Sequence, residues 1–455
     1  MARLLSAVAY LSAVAAGSTS SSSSSSSPFS SSSSSPSSSA AAAGFGHALR
    51  PLFFFEGNYT QFNHGAYGGT PRAVVAAQFE YVAEMERDID PFMNAATGYR
   101  RCILAAREQL AAMVNAADVN DTVLVDNASE AINDILRNLE PPLSADEWIV
   151  ELSTAYGPFT GLYEWLGIRQ GVNLLTVPIQ WPVTGPESFT APVAAMLAAN
   201  ASSLNLRVAV ISQISAYPAV SLPVKALVEL FHSYGVPVVV DGAHALGNVQ
   251  VDLQQMGDPD YALWNLHKWY FAPKSSALMY VRRDHQLLHV PAPSVVDNVM
   301  TQAFPDRFLW TGTRDRTAYC AIQNATAFRA SIGGEAAIQA YNQGLALYAK
   351  RTLERLWGVP EMAPESMIAG AMALVKIPTD NATVCGIVSG TLRGAGYNWS
   401  VSGWAAVPGF PCSFRISAQV YLEESDIDAL GRAVLDIIGG LEPPPQAAPG
   451  GAGGE

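Results

Sequence analysis

The feature that most constrains the fold is an alternation of short apolar runs with longer stretches of helical spacing, which begins near Arg50. Helices are predicted over residues 70–86, 98–115 and 127–139, and the first opens with a Thr-Pro pair suited to a helix start. Strands are predicted over residues 122–126, 148–152, 174–177, 206–211, 236–241, 261–265 and 276–281. Strands separated by helices are typical of βα units, so the sequence predicts an α/β fold with a mostly parallel, seven-stranded sheet.

The pattern changes over residues 302–317, and from Cys320 onward a long helix and a shorter α+β segment are predicted. We therefore expect a large domain over residues 50–317, which includes the N-terminal segment, and a small C-terminal α+β domain over residues 318–440. A Ser/Ala-rich segment, residues 17–49, and a Pro/Gly-rich tail, residues 441–455, are predicted to be disordered. Such compositions bury too little apolar surface to offset the entropy of the chain.

The first residues predict a destination for the protein. Residues 1–16 have the layout of a secretory signal peptide, with one Arg, a short apolar stretch and small residues in an A-x-A arrangement. We expect the secretory pathway or an extracellular location, with an organelle or the cytosol as alternatives. The leader is too short to span a bilayer, and no later apolar run is long enough. Sequons that would suit a glycosylating compartment stand at Asn58, Asn120, Asn127, Asn200, Asn324, Asn381 and Asn398.

Charge and cysteine content exclude several classes of protein. Lys and Arg number 26 against 39 Asp and Glu, a net charge of −13, which argues against a nucleic-acid binder held by phosphate contacts. The four cysteines form no C-x-x-C pair and have no zinc-type spacing. Neither a disulfide scaffold nor a structural metal site is therefore indicated.

Two residues that follow predicted strands suggest the chemistry. Asp241 closes the apolar run PVVVD, at the end of a strand where open α/β sheets bind ligands, although it is also suited to cap the next turn. Lys268 stands in YALWNLHKW, where burial would lower the pKa of its ammonium group and prepare it to form an imine. The alternative for Lys268 is a surface lysine. An acid for a pyridine nitrogen and an imine-forming lysine are the two groups that pyridoxal phosphate requires of a protein.

Pyridoxal phosphate also needs an anion site, and the strand–turn–helix VDNASEAI offers one. The helix start leaves free N–H groups at Ala128 and Ser129, and the Ser hydroxyl is a further donor. The alternative is an ordinary capping box in which Glu130 and Asn127 satisfy each other. The residue types alone leave both interpretations open.

Three further segments carry polar groups suited to a ligand. In WTGTR, Gly312 permits close approach of the backbone and the hydroxyls of Thr311 and Thr313 suit a phosphate, although a simple polar turn fits as well. In SFRIS, Arg415 is suited to bind the carboxylate of an amino acid or to form a structural ion pair. In the glycine-rich loop FNHGAYGG, His64 is placed to touch substrate, or else is an ordinary turn residue.

The motifs FNHGAYGGTPRAV, DNASEAIN, VDGAHALG, NLHKW, WTGTRD and FRIS, in this order over about residues 60–435, resemble the class V aminotransferase family of fold-type I pyridoxal phosphate enzymes. They are most similar to its isopenicillin N epimerase-like branch, which also includes ergothioneine-forming C–S lyases. Each motif alone is weak, whereas the order and spacing of all of them are specific. The resemblance implies the fold-type I architecture and pyridoxal 5′-phosphate as cofactor.

The resemblance also implies roles for individual residues. Lys268 would form the internal aldimine and later move the Cα proton, and Asp241 would keep the pyridine nitrogen protonated. Arg415 would bind the substrate α-carboxylate, with Asn63 and His64 on the substrate side. The family builds its active sites at a two-fold interface, so a homodimer is implied. The remaining cofactor contacts would come from Tyr156 on the ring, from His244 near the ring hydroxyl, and from Ala128, Ser129 and His267 together with Thr311, Gly312 and Thr313 of the partner subunit around the phosphate.

The reaction is less constrained than the cofactor. Ser212, Gln213 and Ser215 stand where many relatives have a charged or imidazole residue, which leaves the amino-acid substrate open. Neither Cys385 nor Cys412 is placed like the loop cysteine of a desulfurase, so that activity is not expected. On the family resemblance alone, we favour a C–S lyase that acts on a cysteine conjugate or sulfoxide through an external aldimine and a Cα carbanion. The alternatives are an amino-acid epimerase, an aminotransferase and a non-catalytic secreted scaffold with the same fold.

Overall fold

The computed structural model describes residues 44–57, 59–94, 98–291, 299–398, 400–402, 407 and 409–441. The predicted signal peptide, most of the Ser/Ala-rich segment and all but the first residue of the predicted tail lie outside the described residues. The described residues belong to one compact unit. The boundary expected between residues 317 and 318 therefore stays a prediction.

The described strands are short, and most of them belong to one sheet. They are β1 (Thr60–Gln61), β2 (Thr122–Val125), β3 (Glu147–Leu152), β4 (Asn173–Val177), β5 (Asn205–Ser212), β6 (Val238–Asp241), β7 (Tyr261–Asn265), β8 (Ala277–Val281), β9 (Met372–Lys376), β10 (Tyr397–Asn398), β11 (Ser400–Ser402) and β12 (Ser413–Ser417).

The described helices lie between and after these strands along the chain. They are α1 (His64–Tyr67), α2 (Arg72–Arg87), α3 (Ile89–Met93), α4 (Tyr99–Met113), α5 (Ala128–Arg137), α6 (Phe159–Gln170), α7 (Glu187–Asn200), α8 (Val224–His232), α9 (Phe304–Arg307), α10 (Thr317–Cys320), α11 (Ile322–Ser331), α12 (Gly334–Trp357), α13 (Ala382–Gly394) and α14 (Glu424–Gly439). None of the helices in the described ranges is both long and apolar enough to cross a membrane.

A seven-stranded sheet with the order β2-β8-β7-β6-β5-β3-β4 forms the centre of the fold. Strands β4, β3, β5, β6 and β7 pair in parallel, and β8 runs antiparallel to both β7 and β2. The predicted α/β class and mostly parallel seven-stranded sheet are thus confirmed, and the predicted strands lie within one or two residues of the observed ones. The insertion of β8 between β2 and β7 was not predicted, because strand order leaves no local pattern in the sequence.

The central strands are buried on both faces, as parallel sheets usually are. In β6, Val238 and Val240 pack into one hydrophobic cluster and Val239 packs into the other. An uninterrupted apolar run is the consequence of this double burial. Asp241, the last residue of β6, is the point where the run meets polar surroundings at the carboxyl edge of the sheet.

The C-terminal part is a second, smaller sheet covered by helices. Strands β11, β12 and β9 form an antiparallel sheet in which Arg415 of β12 is opposite Leu374 of β9. Helix α12 packs against β9 and α14 packs against α12. The two-residue strands β1 and β10 pair in parallel and connect the segment before α1 to this part of the chain.

Helix starts differ in detail from the prediction. Thr70 is not the cap of α2, because Pro71 occupies the N-cap position and the Thr70 hydroxyl donates to the carbonyl oxygen of Ala272 at 3.3 Å. Asn127 does cap α5, since its Oδ1 accepts the N–H of Glu130 at 2.9 Å. The Glu130 carboxylate, however, accepts the N–H of Asp126. The capping box considered for Asn127 and Glu130 is therefore only half formed.

A disulfide corrects the interpretation of the cysteines. Cys102 on α4 and Cys320 at the end of α10 are bonded, with 4.6 Å between their Cα atoms and 218 residues between them in sequence. This single pairing was not predicted, because spacing arguments detect only motifs in which cysteines are near neighbours. Cys385 and Cys412 are buried free thiols, and burial raises the pKa of both.

Candidate active site

A pocket opens at the carboxyl ends of β6 and β7, where parallel sheets place their ligands. Seven of the predicted cofactor residues line it, and seven further residues complete it. The predicted lining residues are Ala128, Ser129, Tyr156, Asp241, His244, His267 and Lys268. The others are Ala66, Tyr67, Asn127, Phe159, Ala216, Ala243 and Asn265.

Lys268 is buried, three residues beyond the end of β7, with 8% of its surface exposed. Burial lowers the pKa of its ammonium group from 10.5 to about 8, although the nearby Asp241 carboxylate opposes that shift. The alternative of a surface lysine does not hold. A neutral amine is thus accessible near physiological pH, and only the neutral amine is a nucleophile.

His244 and Trp269 determine the hydrogen bonding of this amine. The indole Nε1–H of Trp269 donates to Nδ1 of His244 at 3.3 Å, and Nε2 of His244 lies 3.1 Å from Nζ of Lys268. Because Nδ1 accepts, the ring proton of neutral His244 resides on Nε2 and points at Nζ. Only an unprotonated amine has a lone pair to accept it. Burial also holds the pKa of His244 well below its usual value, which keeps the ring neutral.

Asp241 is buried beside Lys268 and keeps a carboxylate oxygen available. Its Oδ1 accepts the N–H of Ala243 at 3.0 Å, so the turn-capping role considered for it is present. Burial raises the pKa of the carboxyl group, while this hydrogen bond and Lys268 lower it. Asp241 forms no ion pair with another described side chain at hydrogen-bonding distance. It is therefore suited to accept a hydrogen bond from a protonated ring nitrogen of a ligand.

The phosphate end of the pocket is partly occupied by the chain itself. The N–H of Ala128, predicted to be free, donates to Oδ1 of Asn265 at 2.9 Å. That donor is therefore satisfied in this structure, whereas the hydroxyl of Ser129 makes no hydrogen bond to another described residue. Nδ1 of His267 is buried and has no partner, and burial lowers the pKa of this ring to about 4. An anion at this end would satisfy the orphaned His267 nitrogen.

Tyr156 lines the pocket, and Arg415 contacts Ala216, another of its lining residues. The ring centroid of Tyr156 lies 5.9 Å from Nζ of Lys268. Arg415 is buried, and its guanidinium donates to the carbonyl oxygen of Ala216 at 2.7 Å and to Oδ1 of Asn63 at 2.8 Å. Its Nε has no partner, no carboxylate of the described chain pairs with it, and burial lowers its pKa to about 10. The structural ion pair considered for Arg415 is not formed, so its charge is available to a carboxylate of a ligand.

His64 does not face the pocket. Its Nδ1 lies 2.9 Å from the hydroxyl of Tyr421 and its Nε2 lies 2.7 Å from the carbonyl oxygen of Lys268. Both ring nitrogens are therefore used, and burial lowers the pKa of the ring to about 3. His64 therefore links Tyr421 to the backbone of the Lys268 segment and does not make the substrate contact expected for it. Asn63, its neighbour, reaches the site only through Arg415.

The WTGTR segment lies outside the pocket of its own chain. The hydroxyl of Thr311 accepts a hydrogen bond from Arg316, and Arg314 pairs with Asp126 at 3.3 Å and with Glu130 at 3.1 Å. Neither Thr311, Gly312 nor Thr313 is among the lining residues. Their expected contact with the cofactor phosphate of a partner subunit stays a prediction.

Trp269 and Asn265 are two functional residues of the site that were not predicted from the sequence. Asn265 is a polar residue at the end of an otherwise apolar strand, which is a usable signal for a site residue. Trp269 is conspicuous in the sequence only as an apolar neighbour of Lys268. Its N–H direction, which sets the tautomer of His244, depends on tertiary structure and has no sequence signal.

Comparison with known proteins gives three consistent findings. The family model Aminotransferase class-V matches residues 65–430. L-cysteine desulfhydrase of Arabidopsis thaliana is 30% identical over 325 residues, which cover 70% of this chain and 70% of the relative. Hercynylcysteine sulfoxide lyase of Schizosaccharomyces pombe is 24% identical over 402 residues, which cover 86% of this chain and 98% of the relative.

Solved structures agree with the fold. A cystine C–S lyase in complex with its reaction product, cysteine persulfide, matches with a TM-score of 0.67 at 17% sequence identity. The match covers 83% of this chain and 97% of that one. At this identity the likeness supports the architecture, which is that of fold-type I.

Proposed function

Because the chain belongs to the class V aminotransferase family, we propose that it uses pyridoxal 5′-phosphate to cleave the Cβ–S bond of cysteine, a cysteine conjugate or a cysteine sulfoxide. Because the chain belongs to this family, it is a pyridoxal phosphate-dependent enzyme, as its motifs predicted. The observation that carries the proposal is that buried Lys268 and Asp241 line one pocket, while buried Arg415 donates to the carbonyl oxygen of its lining residue Ala216 at 2.7 Å. The preference for a lyase is supported by relatives whose names are those of a desulfhydrase and a sulfoxide lyase.

The residues present fit the cofactor. The orphaned Nδ1 of His267 and the hydroxyl of Ser129 would hold its phosphate, Asp241 would accept the pyridine N–H, and Tyr156 would cover the ring. When bound, pyridoxal phosphate supplies an electron sink for the pair of electrons left on the substrate Cα after its proton is removed. A non-catalytic scaffold would have no need for an unneutralised Arg415 beside such a set of groups.

The residues of the chain then have defined tasks in lyase chemistry. Arg415 binds the α-carboxylate, and Asn63 holds its guanidinium in position. Lys268, as a neutral amine, takes the Cα proton, and the resulting ammonium protonates the departing sulfur. The Cβ–S bond breaks with its electron pair on sulfur, and one water molecule is consumed in the overall reaction. A thioether substrate gives pyruvate, ammonia and a thiol.

The proposed reaction is tested by product analysis. The full chain loaded with pyridoxal phosphate is incubated with L-cysteine, an S-alkylcysteine and its sulfoxide, and pyruvate and the sulfur product are measured. We expect equal amounts of both, with none above background from Lys268→Ala. Lys274→Ala is the matched control, since Lys274 is a nearby lysine that lies outside the pocket. Exchange and inversion at Cα without a keto acid would instead establish an epimerase, and a keto acid that retains its sulfur would establish an aminotransferase.

We also propose that the enzyme is a homodimer with shared active sites. The absence of Thr311, Gly312 and Thr313 from the lining of their own pocket supports this, because a second copy could supply them. Mixing and reassociating Lys268→Ala with a Thr311→Ala, Thr313→Ala double variant should restore roughly a quarter of the wild-type sites in an equal mixture. Lack of any restored activity in proven hybrid dimers would contradict shared sites.

A secretory location is proposed on separate grounds. The Cys102–Cys320 disulfide is of a kind that forms and persists in oxidising compartments, which supports the prediction made from residues 1–16. Asn127 caps α5 and lines the pocket, so we expect no glycan there in active protein. Sequencing of the mature N-terminus and glycopeptide mapping test both points. An intact N-terminus, or a glycan on Asn127 of active enzyme, would refute the corresponding statement.

A further inference from the structure

Arg107 is a buried cation that the proposed reaction does not use. It lies on α4 with 4% of its surface exposed, and one guanidinium nitrogen donates to Oδ1 of Asn120 at 3.1 Å. Its Nε is buried and has no partner, and within the described ranges no carboxylate forms an ion pair with it. Burial lowers its pKa, while Asp306 nearby raises it. A buried charge without a counter-ion opposes folding unless an anion compensates it.

The same signature marks the substrate-binding arginine. In the part of the chain that the structure describes, buried Nε atoms without a hydrogen-bond partner occur in Arg107, Arg207 and Arg415. Arg207 has a carboxylate, since its Nε lies 3.5 Å from Oε1 of Glu147. Arg107 and Arg415 have none. In the proposed function the counter-ion of Arg415 is the α-carboxylate of the substrate, so the same criterion predicts an anionic ligand at Arg107.

Arg107 lines a cavity that contains two more arginines. The cavity measures about 510 Å³, and Arg100, Asn120, Arg283 and Asp306 are among its lining residues. Arg100 and Arg107 are seven residues apart on α4, so both lie on the same face of the helix. Arg100 pairs with Oδ1 of Asp306 at 3.2 Å. The cavity therefore presents several guanidinium groups in a protein whose net charge is −13.

This cavity is separate from the active site. Thr122 of β2 is opposite Tyr280 of β8, so Asn120 and Arg283, two to three residues beyond that pair, lie at the same edge of the sheet. Because β8 is antiparallel to its neighbours, this is the edge opposite to the carboxyl ends of β6 and β7. Asp241 and Lys268 lie at the carboxyl ends. The cavity and the cofactor pocket share no lining residue.

We propose that this cavity is a binding site for a small oxyanion, a phosphate or carboxylate group, held by Arg107 and supported by Arg100 and Arg283. A planar guanidinium binds either group through paired hydrogen bonds. Arg283 already pairs with Asp118 at 2.5 Å and Asp121 at 2.9 Å, and is the secondary contributor. The anion supplies the counter-charge that Arg107 lacks.

Binding of inorganic phosphate, sulfate and succinate to the full chain, loaded with pyridoxal phosphate to fill the cofactor site, tests the proposal. Calorimetric titration gives the Kd for each probe. We compare the wild type with Arg107→Gln and with Arg100→Gln, which covers failure of the first variant to fold. Arg101→Gln is the matched control, because Arg101 is on the same helix with its side chain 62% exposed and paired with Glu84.

We expect at least one probe to bind the wild type and Arg101→Gln alike, and to bind Arg107→Gln and Arg100→Gln at least about tenfold more weakly. Asp306→Asn, which removes the carboxylate that competes for Arg100, should bind the same probe more tightly. Preference for phosphate over succinate, or the reverse, identifies the group. Binding that is equal in all variants, or no binding of any probe to the wild type, would overturn the proposal. Activity towards amino acids is not involved in either result.

Discussion

The proposed chemistry depends on the protonation state of a single residue, Lys268. The Trp269 N–H directs the His244 ring proton to the lysine nitrogen, and burial weakens the ammonium form. The two effects act in the same direction. A lysine held this way is ready to react before any substrate arrives, which is what imine chemistry needs.

This arrangement predicts how stability depends on pH. The pKa of Lys268 is about 8 in the folded chain and 10.5 by default in the unfolded chain, so the buried ammonium destabilises the fold below pH 8. As the pH rises to 10.5, only the unfolded chain still binds that proton, and stability increases. Cofactor-free wild type should therefore gain about 3 kcal/mol relative to Lys268→Met between these limits. Urea unfolding of both proteins measures it, and parallel pH profiles would count against the claim.

Arg415 predicts an effect on substrate binding. Arg415→Gln leaves the Asn63 amide and the Ala216 carbonyl in place but removes the charge that pairs with the substrate carboxylate. A pair of this kind is worth about 2–4 kcal/mol, so kcat/KM for the amino acid should fall roughly 30- to 1,000-fold. Cysteamine, which has no carboxylate, is the control substrate. An equal loss with cysteamine would indicate a structural role instead.

Some residue roles were predictable from sequence and others were not. Asp241 and Lys268 end or follow apolar strands, where a charged residue is conspicuous, and the structure brings them together. His64 was misinterpreted because its partner Tyr421 is 357 residues away, and nothing in the glycine-rich loop indicates that contact. The occupied N–H of Ala128 was missed for the same reason, since Asn265 approaches from another strand.

Among the structural elements, the turn after α1 determines how closely the glycine-rich loop packs on the Lys268 segment. Gly68 has a φ of +68°, and a Cβ atom built there would lie 1.8 Å from the carbonyl oxygen of His267. Because the nearest atoms are backbone atoms of His267 and Lys268, they cannot move aside as a flexible side chain could. The glycine of FNHGAYGG is therefore required by close approach as well as by conformation.

Gly68→Ala should consequently destabilise the fold by more than about 2 kcal/mol and loosen the Lys268 segment. Gly161→Ala is the matched control, because Gly161 lies within α6 with no atom within 4 Å of the position that an added Cβ would occupy, and alanine favours helix by up to about 1 kcal/mol. Thermal unfolding of both variants tests the pair. Equal stability of Gly68→Ala and the wild type would show that the loop does not need this approach.

Strands were predicted better than their arrangement. Fully buried strands such as β6 and β7 appear as continuous apolar runs, which is a local signal. Their order, and the antiparallel insertion of β8 beside β2, depend on which edges meet in three dimensions. The sheet class could thus be inferred, and its topology could not.

At the scale of the whole molecule, the disulfide connects two distant parts of the chain. Cys102 and Cys320 are 218 residues apart in sequence. The segment between them contains all seven strands of the large sheet. Cross-links that close long loops restrict the unfolded chain most. The disulfide is therefore expected to be a main support of the α/β body.

Replacing the pair by Cys102→Ser and Cys320→Ser should cost about 2–5 kcal/mol of stability. Reduction of the wild type should produce a similar loss, measured by unfolding with and without a thiol reductant. Cys385→Ala is the control, because Cys385 is a buried free thiol outside the disulfide, so this variant should lose as much stability on reduction as the wild type does. If the wild type is insensitive to reductant, the disulfide does not contribute to stability as described.

The lysine to which pyridoxal phosphate becomes fixed on reduction tests directly whether Lys268 is the imine-forming residue. The loaded full chain is reduced with borohydride, digested and mapped by mass spectrometry, with Lys268→Ala and Lys274→Ala treated in parallel. We expect cofactor on the Lys268 peptide of the wild type and of Lys274→Ala, and none on Lys268→Ala. Fixation on Lys274 or on any other lysine, or a wild-type chain that takes up no cofactor, would contradict it.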